Sequence, residues 1–420
     1  MRFVRFATAA LVFSLILFWA GCGDYYRPVA YPLTPTQPNP SFSHQAVVIT
    51  TNGTSNPGAS TTIDVSGDTA ISQATVGIMP VHAALVSSVQ QIFVANKLDD
   101  TVSVFPSVTP TPVTTISLPS GSAPDFVAST ESANVYVANG GNGTVSVISI
   151  FTNAVTNTII VPGSPVSMSE LPNTQKVYVA NAGIGGGAAS VVSINTIDDS
   201  VNSPIVASTK APWTSPVWVM SRSDSQRAYV LDKGSGFVSA IDTSVDAVVG
   251  TVSVGVGADY MFYDPTLDRL YVTNPATNTV FVLDASTDAL AAMTVPVANP
   301  ITVAALLDGT RVYIATATLS GTTVSSSVTV LYTNDLSVKT IIPLNSVSAV
   351  CTTQVPSELS IAAAADSSRV YVGNCDAADT AVIQTSDDTL LLRIPAPLGA
   401  FSPPSTSPSS QKPVFVLAGP

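Results

Sequence analysis

A six-residue pattern built around one aromatic residue recurs along this chain, and its spacing limits the possible folds more than any other feature. In chain order the copies read QIFVAN, NVYVAN, KVYVAN, RAYVLD, RLYVTN, RVYIAT and RVYVGN. Their aromatic anchors are Phe93, Tyr136, Tyr178, Tyr229, Tyr271, Tyr313 and Tyr371. Successive anchors are 43, 42, 51, 42, 42 and 58 residues apart. A sustained period of this size is typical of the blades of a β-propeller.

Each repeat has the internal pattern of a small antiparallel sheet. After Tyr136 the sequence runs through the turn GGNG, the alternating segment TVSVIS, the turn FTN, the segment VTNTIIV and, after PGSP, the segment VSMSE. Four short strands separated by Gly, Asn, Asp, Ser and Pro are what a four-stranded blade requires. Blades that stack around an axis bury both faces, which fits a hydrophobic content of 46%. We therefore predict an all-β chain whose residues 45–420 form a single β-propeller of four-stranded antiparallel blades.

The two ends of the repeat region predict how the ring closes. QAVVIT, STTIDVSGD and ISQATVG, within residues 45–77, supply the later strands of a blade that lacks its innermost strand. GAFSPPS and PVFVLAG, near the C-terminus, supply the missing start. Strands from both termini then share one blade, which removes the exposed edges of an open ring. Seven complete units and this split unit predict eight blades, and seven blades remain the alternative.

The first residues predict export. Arg2 and Arg5 precede an apolar run that ends near Trp19, and Cys22 follows two small residues. This stretch resembles a bacterial lipoprotein signal, in which cleavage falls before a cysteine that is then acylated, although Leu is usual where Trp19 stands. We predict a signal peptide at 1–21, a Pro-rich tether at 22–44, and attachment to a membrane of the cell envelope through a lipid on Cys22. Plain secretion and an uncleaved anchor are the alternatives.

One repeat carries a family resemblance. Residues 271–274 spell YVTN, and DRLYVTN followed by TNTVFVLD resembles the YVTN family of β-propeller repeats found in exported bacterial and archaeal surface proteins. The resemblance covers residues 45–420. It implies a scaffold, because relatives include surface-layer and cell-adhesion proteins, while the wider group contains propeller lactonases that act on sugar lactones.

Composition narrows the functional classes. The 27 acidic and 15 basic residues give a net charge of -12, which repels phosphate backbones, so no nucleic-acid partner is expected. His44 and His82 are the two histidines, and the sequence has three glutamates, which are few for acid–base chemistry. No Cys or His spacing predicts zinc, and no cofactor is expected. A monomeric binding module for protein or glycan is therefore favoured over a lactonase-type hydrolase that uses the central channel, and His82 is interpreted as structural or solvent-exposed.

Two cysteines predict a disulfide. Cys351 leads into the innermost strand of the Tyr371 blade, and Cys375 follows the next strand, so hairpin pairing returns both to the same rim. An oxidising compartment favours their pairing, which would stabilise the fold by about 3 kcal/mol in the loop-entropy model. Two free thiols are the alternative.

Loop lengths predict which rim binds a partner. Strand direction alternates, so the loops after the anchor strands and the loops between blades share one rim, here called the long-loop rim, and the other turns form the short-turn rim. The insertions, at 181–189, 207–216, 316–327 and 345–358, fall on the long-loop rim. The candidate binding residues on this rim are Trp213, Trp218, Lys210, Lys97, Lys233 and Asp376. Trp213 leads this set because a Trp offers a large amphipathic contact area, and the alternative is that it only caps the blade beneath it.

Overall fold

The computed structural model describes residues 45–107, 113–129, 133–183, 187–287, 292–351, 359–398 and 410–419. The predicted signal peptide, tether and lipidation residue Cys22 lie outside these residues, as does the GAFSPPS segment. In the described part of the chain, every regular element is a β-strand. No helix there has the length and apolar character needed to cross a membrane.

The strands form eight sheets, numbered here as blades 1 to 8. Blade 1 contains β1 (Gln45–Thr51), β2 (Pro57–Asp64), β3 (Thr69–Ile78) and β31 (Lys412–Ala418). Blade 2 contains β4 (Pro80–Val86), β5 (Gln91–Asn96), β6 (Thr101–Pro106) and β7 (Thr114–Ser117). Blade 3 contains β8 (Pro124–Ala128), β9 (Asn134–Asn139), β10 (Thr144–Ser149) and β11 (Ala154–Ile160). Blade 4 contains β12 (Pro165–Glu170), β13 (Lys176–Asn181) and β14 (Ser190–Asn195).

The remaining blades follow in chain order. Blade 5 contains β15 (Pro216–Ser221), β16 (Arg227–Asp232), β17 (Phe237–Asp242) and β18 (Ala247–Ser253). Blade 6 contains β19 (Tyr260–Asp264), β20 (Arg269–Asn274), β21 (Thr279–Asp284) and β22 (Ala292–Pro296). Blade 7 contains β23 (Pro300–Ala305), β24 (Arg311–Ser320), β25 (Thr323–Tyr332) and β26 (Val338–Ser348). Blade 8 contains β27 (Leu359–Ala363), β28 (Arg369–Asn374), β29 (Asp379–Gln384) and β30 (Thr389–Pro395).

Both ends of the repeat region build blade 1, as the sequence predicted. The C-terminal strand β31 is the innermost strand, and it pairs antiparallel with β1 from Ala46 opposite Ala418 to Thr51 opposite Lys412. The innermost strands of blades 2 to 8 each contact the next one around the axis, and β31 contacts both β27 and β4. This unbroken circle of inner strands confirms an eight-bladed propeller closed by strands from both termini.

Blade 4 departs from the predicted four-strand pattern, because its described sheet has three strands. Its fourth position is taken by the irregular segment 200–205, which still bonds to β14 through Asn202 N–H to Ser193 O and Ile205 N–H to Val191 O, both at 2.9 Å. Pro204 lies within this segment and has no N–H to donate, so a regular ladder cannot continue there.

The anchor residues pack at the centre of the blades and also tie neighbouring blades together. All seven anchors are fully buried. In three blades, the anchor hydroxyl and the basic side chain two residues before it bind one aspartate in the outer turn of the next blade. These sets are Tyr178 with Lys176 and Asp246, Tyr313 with Arg311 and Asp388, and Tyr371 with Arg369 and Asp68. The basic residue and the tyrosine of the repeat therefore both stabilise contacts between blades on the short-turn rim.

Candidate functional site

The central channel is lined near the long-loop rim by eight equivalent side chains, one from each innermost strand. In blades 2 to 8 the residue concerned is paired with the residue two positions after the anchor, and in blade 1 it is paired with Ile49 of β1. From blade 1 to blade 8 these residues, here called the channel positions, are Phe415, His82, Phe126, Ser167, Trp218, Tyr260, Thr302 and Ser360.

A proline that recurs in the sequence helps to orient these side chains. Six of the inner strands have a proline two residues before the channel position, as in Pro80-Val81-His82 and Pro216-Val217-Trp218. Proline is tolerated there because the inner strand is an edge strand. The ladder shifts register between the proline and the channel position in these strands, and a bulge of this kind redirects the side chain that follows it.

Five of the channel positions are aromatic, and their rings form one continuous series, here called the aromatic arc. The His82 ring lies between Phe415 and Phe126, with ring centroids 4.4 and 3.8 Å away respectively. Phe126 meets the edge of Trp218 at 5.7 Å, and Trp218 meets Tyr260 at 4.8 Å. All five side chains are only half-buried, so part of each remains accessible.

The other three channel positions are small hydroxyl residues that serve the fold. The hydroxyl of Ser167 accepts a hydrogen bond from Val219 N–H at 3.2 Å, and that of Ser360 accepts one from Val416 N–H at 3.0 Å. Thr302 donates to the carbonyl of Leu359 at 3.2 Å. Each of these bonds reaches the innermost strand of a neighbouring blade. A hydroxyl therefore satisfies the edge of an inner strand, and the fold does not require a ring at this position.

The aromatic arc carries no charge. Burial lowers the pKa of His82 to about 3, so the imidazole is neutral at physiological pH. Its Nδ1 accepts a hydrogen bond from Val127 N–H at 3.4 Å, which places the proton on Nε2. Burial also raises the pKa of Tyr260 to about 12, so its hydroxyl stays protonated. These contacts give His82 a structural role.

Two ion pairs flank the arc. Lys97 pairs with Asp125, the residue before Phe126, and Lys233 pairs with Asp259, the residue before Tyr260, at 2.7 Å. Each pair joins the loop after an anchor strand to a residue at, or just before, the start of the inner strand of the next blade. The structure therefore places Lys97 and Lys233 beside the residues that precede two rings of the arc, at the same end of the channel as Trp218.

Two of the other predicted rim residues, Trp213 and Asp376, bond to and pack on the blades beneath them. Trp213 donates its indole N–H to Ile205 O at 2.9 Å and packs against the core of blades 4 and 5, while Lys210 is exposed in the same loop. Asp376 is buried and accepts hydrogen bonds from Val350 N–H at 2.6 Å and Cys351 N–H at 2.9 Å.

Cys351 and Cys375 are joined by a disulfide, with their Cα atoms 6.0 Å apart. Together with Asp376, this bond fixes the end of blade 7 to blade 8. The predicted insertion at 316–327 is not a loop, because its residues continue the ladder of β24 and β25, and β26 runs beside them to Ser348. The result is a three-stranded extension above the long-loop rim. One face of it presents exposed hydroxyls, namely Thr318, Ser320, Thr323, Ser325, Ser346 and Ser348.

The short-turn rim has a different character. A polar cleft of about 400 Å³ between blades 4 and 5 is lined by residues such as Asn173, Asp224 and Gln226. Its cations are already compensated, since Lys176 pairs with Asp246 and Arg227 pairs with Asp242. Among the described residues, no group of three or more His, Cys, Asp or Glu side chains is placed to hold a metal ion.

The fold and this channel define the chain as an eight-bladed β-propeller with an aromatic series at one end of its channel. No protein-family model and no curated protein matches the sequence. Solved structures share the fold. Dihydro-heme d1 dehydrogenase NirN, in complex with DHE, is 11% identical over 91% of this chain and 76% of that chain, with a TM-score of 0.67.

Two further structures are similar at comparable distance. Hydrazine synthase of Kuenenia stuttgartiensis is 19% identical over 73% of this chain and 96% of that chain, with a TM-score of 0.56. A Bacteroides uniformis protein proposed to be a 6-phosphogluconolactonase is 14% identical over the same shares, 73% and 96%, with a TM-score of 0.55. At these identities the likeness extends to the fold and not to the site.

Proposed function

We propose that this chain is an exported, lipid-anchored β-propeller of the YVTN type that binds protein or glycan ligands of the cell envelope at its long-loop rim. It acts as a monomer, tethered to the membrane through Cys22. The observation that supports this proposal is the concentration of extra structure on one rim: the aromatic arc, its two ion pairs and the disulfide-fixed extension of blade 7 all lie there. Elaboration confined to one face is how repeat scaffolds build a recognition surface.

Position-specific blocking of the two rims tests the proposal. Thr322→Cys, at the exposed tip of the blade 7 extension, and Val245→Cys, in an exposed turn of the short-turn rim, are each coupled to a maleimide polyethylene glycol. The background is the mature chain with Cys22→Ser, whose other two cysteines are in the disulfide.

Capture of material from the cell-envelope fraction of the source organism is then compared between the two conjugates. We expect capture to fall at least tenfold when Thr322 is blocked and to be unchanged when Val245 is blocked. Equal capture by both conjugates would contradict binding at the long-loop rim.

The second candidate is a lactonase-type hydrolase that works in the channel. It predicts turnover of a sugar lactone that depends on a channel carboxylate, whereas the binding proposal predicts none. Purified protein assayed with 6-phosphogluconolactone separates the two, and turnover removed by one carboxylate substitution would favour the hydrolase.

A further inference from the structure

We propose that the aromatic arc is the binding site of a neutral sugar ring, so that the ligand met at the long-loop rim is a glycan with uncharged pyranose units. This inference rests on the proposed binding function and names its ligand class. The arc consists of Phe415, His82, Phe126, Trp218 and Tyr260, one from each of five inner strands.

The first step is that the rings exceed what the fold needs. At the same register, blades 4, 7 and 8 use Ser167, Thr302 and Ser360, whose side chains are buried and bonded to a neighbouring inner strand. The five rings instead remain partly exposed, although Phe415, Phe126, Trp218 and Tyr260 also pack against the cores between blades. A partly exposed set of large apolar rings at one place is costly in water, and such patches on soluble proteins commonly mark binding sites.

The second step concerns charge. His82 is neutral, and neither Phe126 nor Trp218 carries charge, so the arc has no formal charge with which to pair an ionic ligand. Two ion pairs flank the arc, Lys97 with Asp125 and Lys233 with Asp259. Each pair offers a cationic donor and an anionic acceptor, and its net charge is zero. A ligand that has an apolar C–H face and many hydroxyl groups fits this arrangement, because the face stacks on rings while the hydroxyls both donate and accept.

The third step concerns an unused donor. The indole N–H of Trp218 is buried and has no acceptor among the described residues. A buried donor without a partner costs stability, and a ligand oxygen that bonds this N–H after a small movement of the Trp218 ring would remove that cost. A sugar hydroxyl or an acetamide carbonyl is such an acceptor, and an alkyl ligand is not.

Tryptophan fluorescence gives a direct test. The sequence has three tryptophans, of which Trp19 lies in the predicted signal peptide. In mature Trp213→Phe protein, Trp218 is therefore the sole tryptophan. This substitution should leave the arc intact, because the Trp213 side chain binds Ile205 O outside the channel. The further variants are made in this background and compared with it. Cellotetraose and chitotetraose are titrated as neutral probes, with choline chloride as a cationic comparator.

We expect a saturable change in Trp218 emission with at least one of the two oligosaccharides, with a Kd below about 1 mM. Tyr260→Ala and Phe126→Ala should weaken binding at least tenfold, while calorimetric titration should find Trp213→Phe equal to the wild type. A melting curve of each variant separates loss of the site from loss of the fold.

Saturation by choline without saturation by sugar would overturn the inference in favour of a quaternary ammonium site. No change with either sugar in the wild type would also overturn it. Rim-dependent capture of envelope material would still be measured separately, so the proposed function can stand when this inference fails.

Discussion

The hydroxyl of Tyr371 donates a hydrogen bond to the carboxylate of Asp68 at 3.3 Å, across a sequence separation of 303 residues. Arg369 Nε reaches the same carboxylate at 3.0 Å. These bonds join blade 8 to the outer turn of blade 1, so the ring is closed on the short-turn rim as well as by β31 at the centre. The same three-residue arrangement joins blades 7 and 8, where Asp388 accepts from Tyr313 and Arg311.

Asp388 provides a test of this contact between blades. Its side chain is fully buried and is bound by Arg311, Tyr313 and Lys339. Asp388→Asn preserves the shape and tolerates the left-handed backbone, which has φ of 58°, but it leaves two cations without their counter-ion. We expect a loss of about 3 kcal/mol in the free energy of unfolding, measured by denaturant titration at pH 7.

The neighbouring Asp387 is the matched control, because its carboxylate is exposed and, among the described residues, accepts a side-chain hydrogen bond from Thr389 and from no cation. Asp387→Asn should change the free energy of unfolding by less than about 0.5 kcal/mol.

The same contacts make the contribution of Asp388 depend on pH. Burial alone would raise the pKa of Asp388, but hydrogen bonds from Lys339, Tyr313 and Arg311 outweigh it and lower the pKa. The stability it contributes is therefore present above about pH 4 and is lost as the pH falls further. Equal losses in the free energy of unfolding for Asp388→Asn and Asp387→Asn would contradict this account.

His82 predicts a second pH dependence. Its pKa is about 3 in the folded protein and about 6.5 in the unfolded chain, so the unfolded state takes up a proton first as the pH falls. The stability from neutral His82 is complete above pH 6.5 and declines by about 1.4 kcal/mol per pH unit below it. Between pH 7 and pH 5 the wild type should therefore lose about 2 kcal/mol more than His82→Phe, which keeps a ring but cannot titrate. Parallel losses in the two proteins would show that His82 titrates normally in the fold.

The sequence predicted blades 2 to 8 because each of them has a fully buried aromatic anchor at the same place in its strand order. Tyr136 and Tyr271 are buried between neighbouring blades, so the repeat has to keep an aromatic residue at that place. The split blade was predicted for a related reason, since QAVVIT and PVFVLAG each have the pattern of a buried strand. The number of blades and the closure of the ring could therefore be predicted from the recurring pattern of buried residues.

The aromatic arc was not predicted, although Trp218 was selected as a rim residue. Channel positions meet different neighbours from blade to blade, as the packed ring of Trp218 and the hydrogen-bonded hydroxyl of Ser167 show, so packing does not force one residue type to recur there. His82 and Phe415 are far apart in sequence, and only the closed ring brings them together. A usable signal did exist, because the repeated proline two residues before the channel position marks it in six inner strands.

For the substitution Gly373→Ala, the repeat pattern and the structure predict opposite effects on stability. Blades 2, 3 and 4 have Ala at the equivalent position, so the repeat pattern suggests that Gly373→Ala is stabilising. In blade 8, however, a Cβ at this position would lie 2.9 Å from the Val416 side chain of β31. Val416 is buried and β-branched, so we expect Gly373→Ala to destabilise the protein by about 1 to 2 kcal/mol.

In the Val416→Ala background, Gly373→Ala should lower the free energy of unfolding by less than it does in the wild type, because the clash with the valine side chain is gone. A double-mutant cycle of denaturant titrations measures this coupling. Additive effects of the two substitutions would mean that β31 does not pack over Gly373.

The disulfide should stabilise the junction of blades 7 and 8. Cys351→Ser/Cys375→Ser opens a loop with a sequence separation of 24 residues, and we expect a loss of about 3 kcal/mol in the free energy of unfolding. Addition of a reductant should lower the stability of the wild type toward that of the variant and leave the variant unchanged. A reductant effect on the variant as large as that on the wild type would rule out this disulfide as the cause.

Equilibrium unfolding of the mature chain without residues 410–420, alone and with a synthetic peptide of those residues, tests ring closure most directly. The strand β31 buries Val414 and Val416 and pairs along its length with β1, so the truncated chain should lose more than about 3 kcal/mol and regain stability as the peptide is added. A truncated chain that unfolds at the same denaturant concentration as the intact one, with no response to the peptide, would contradict closure of the propeller by its C-terminal strand.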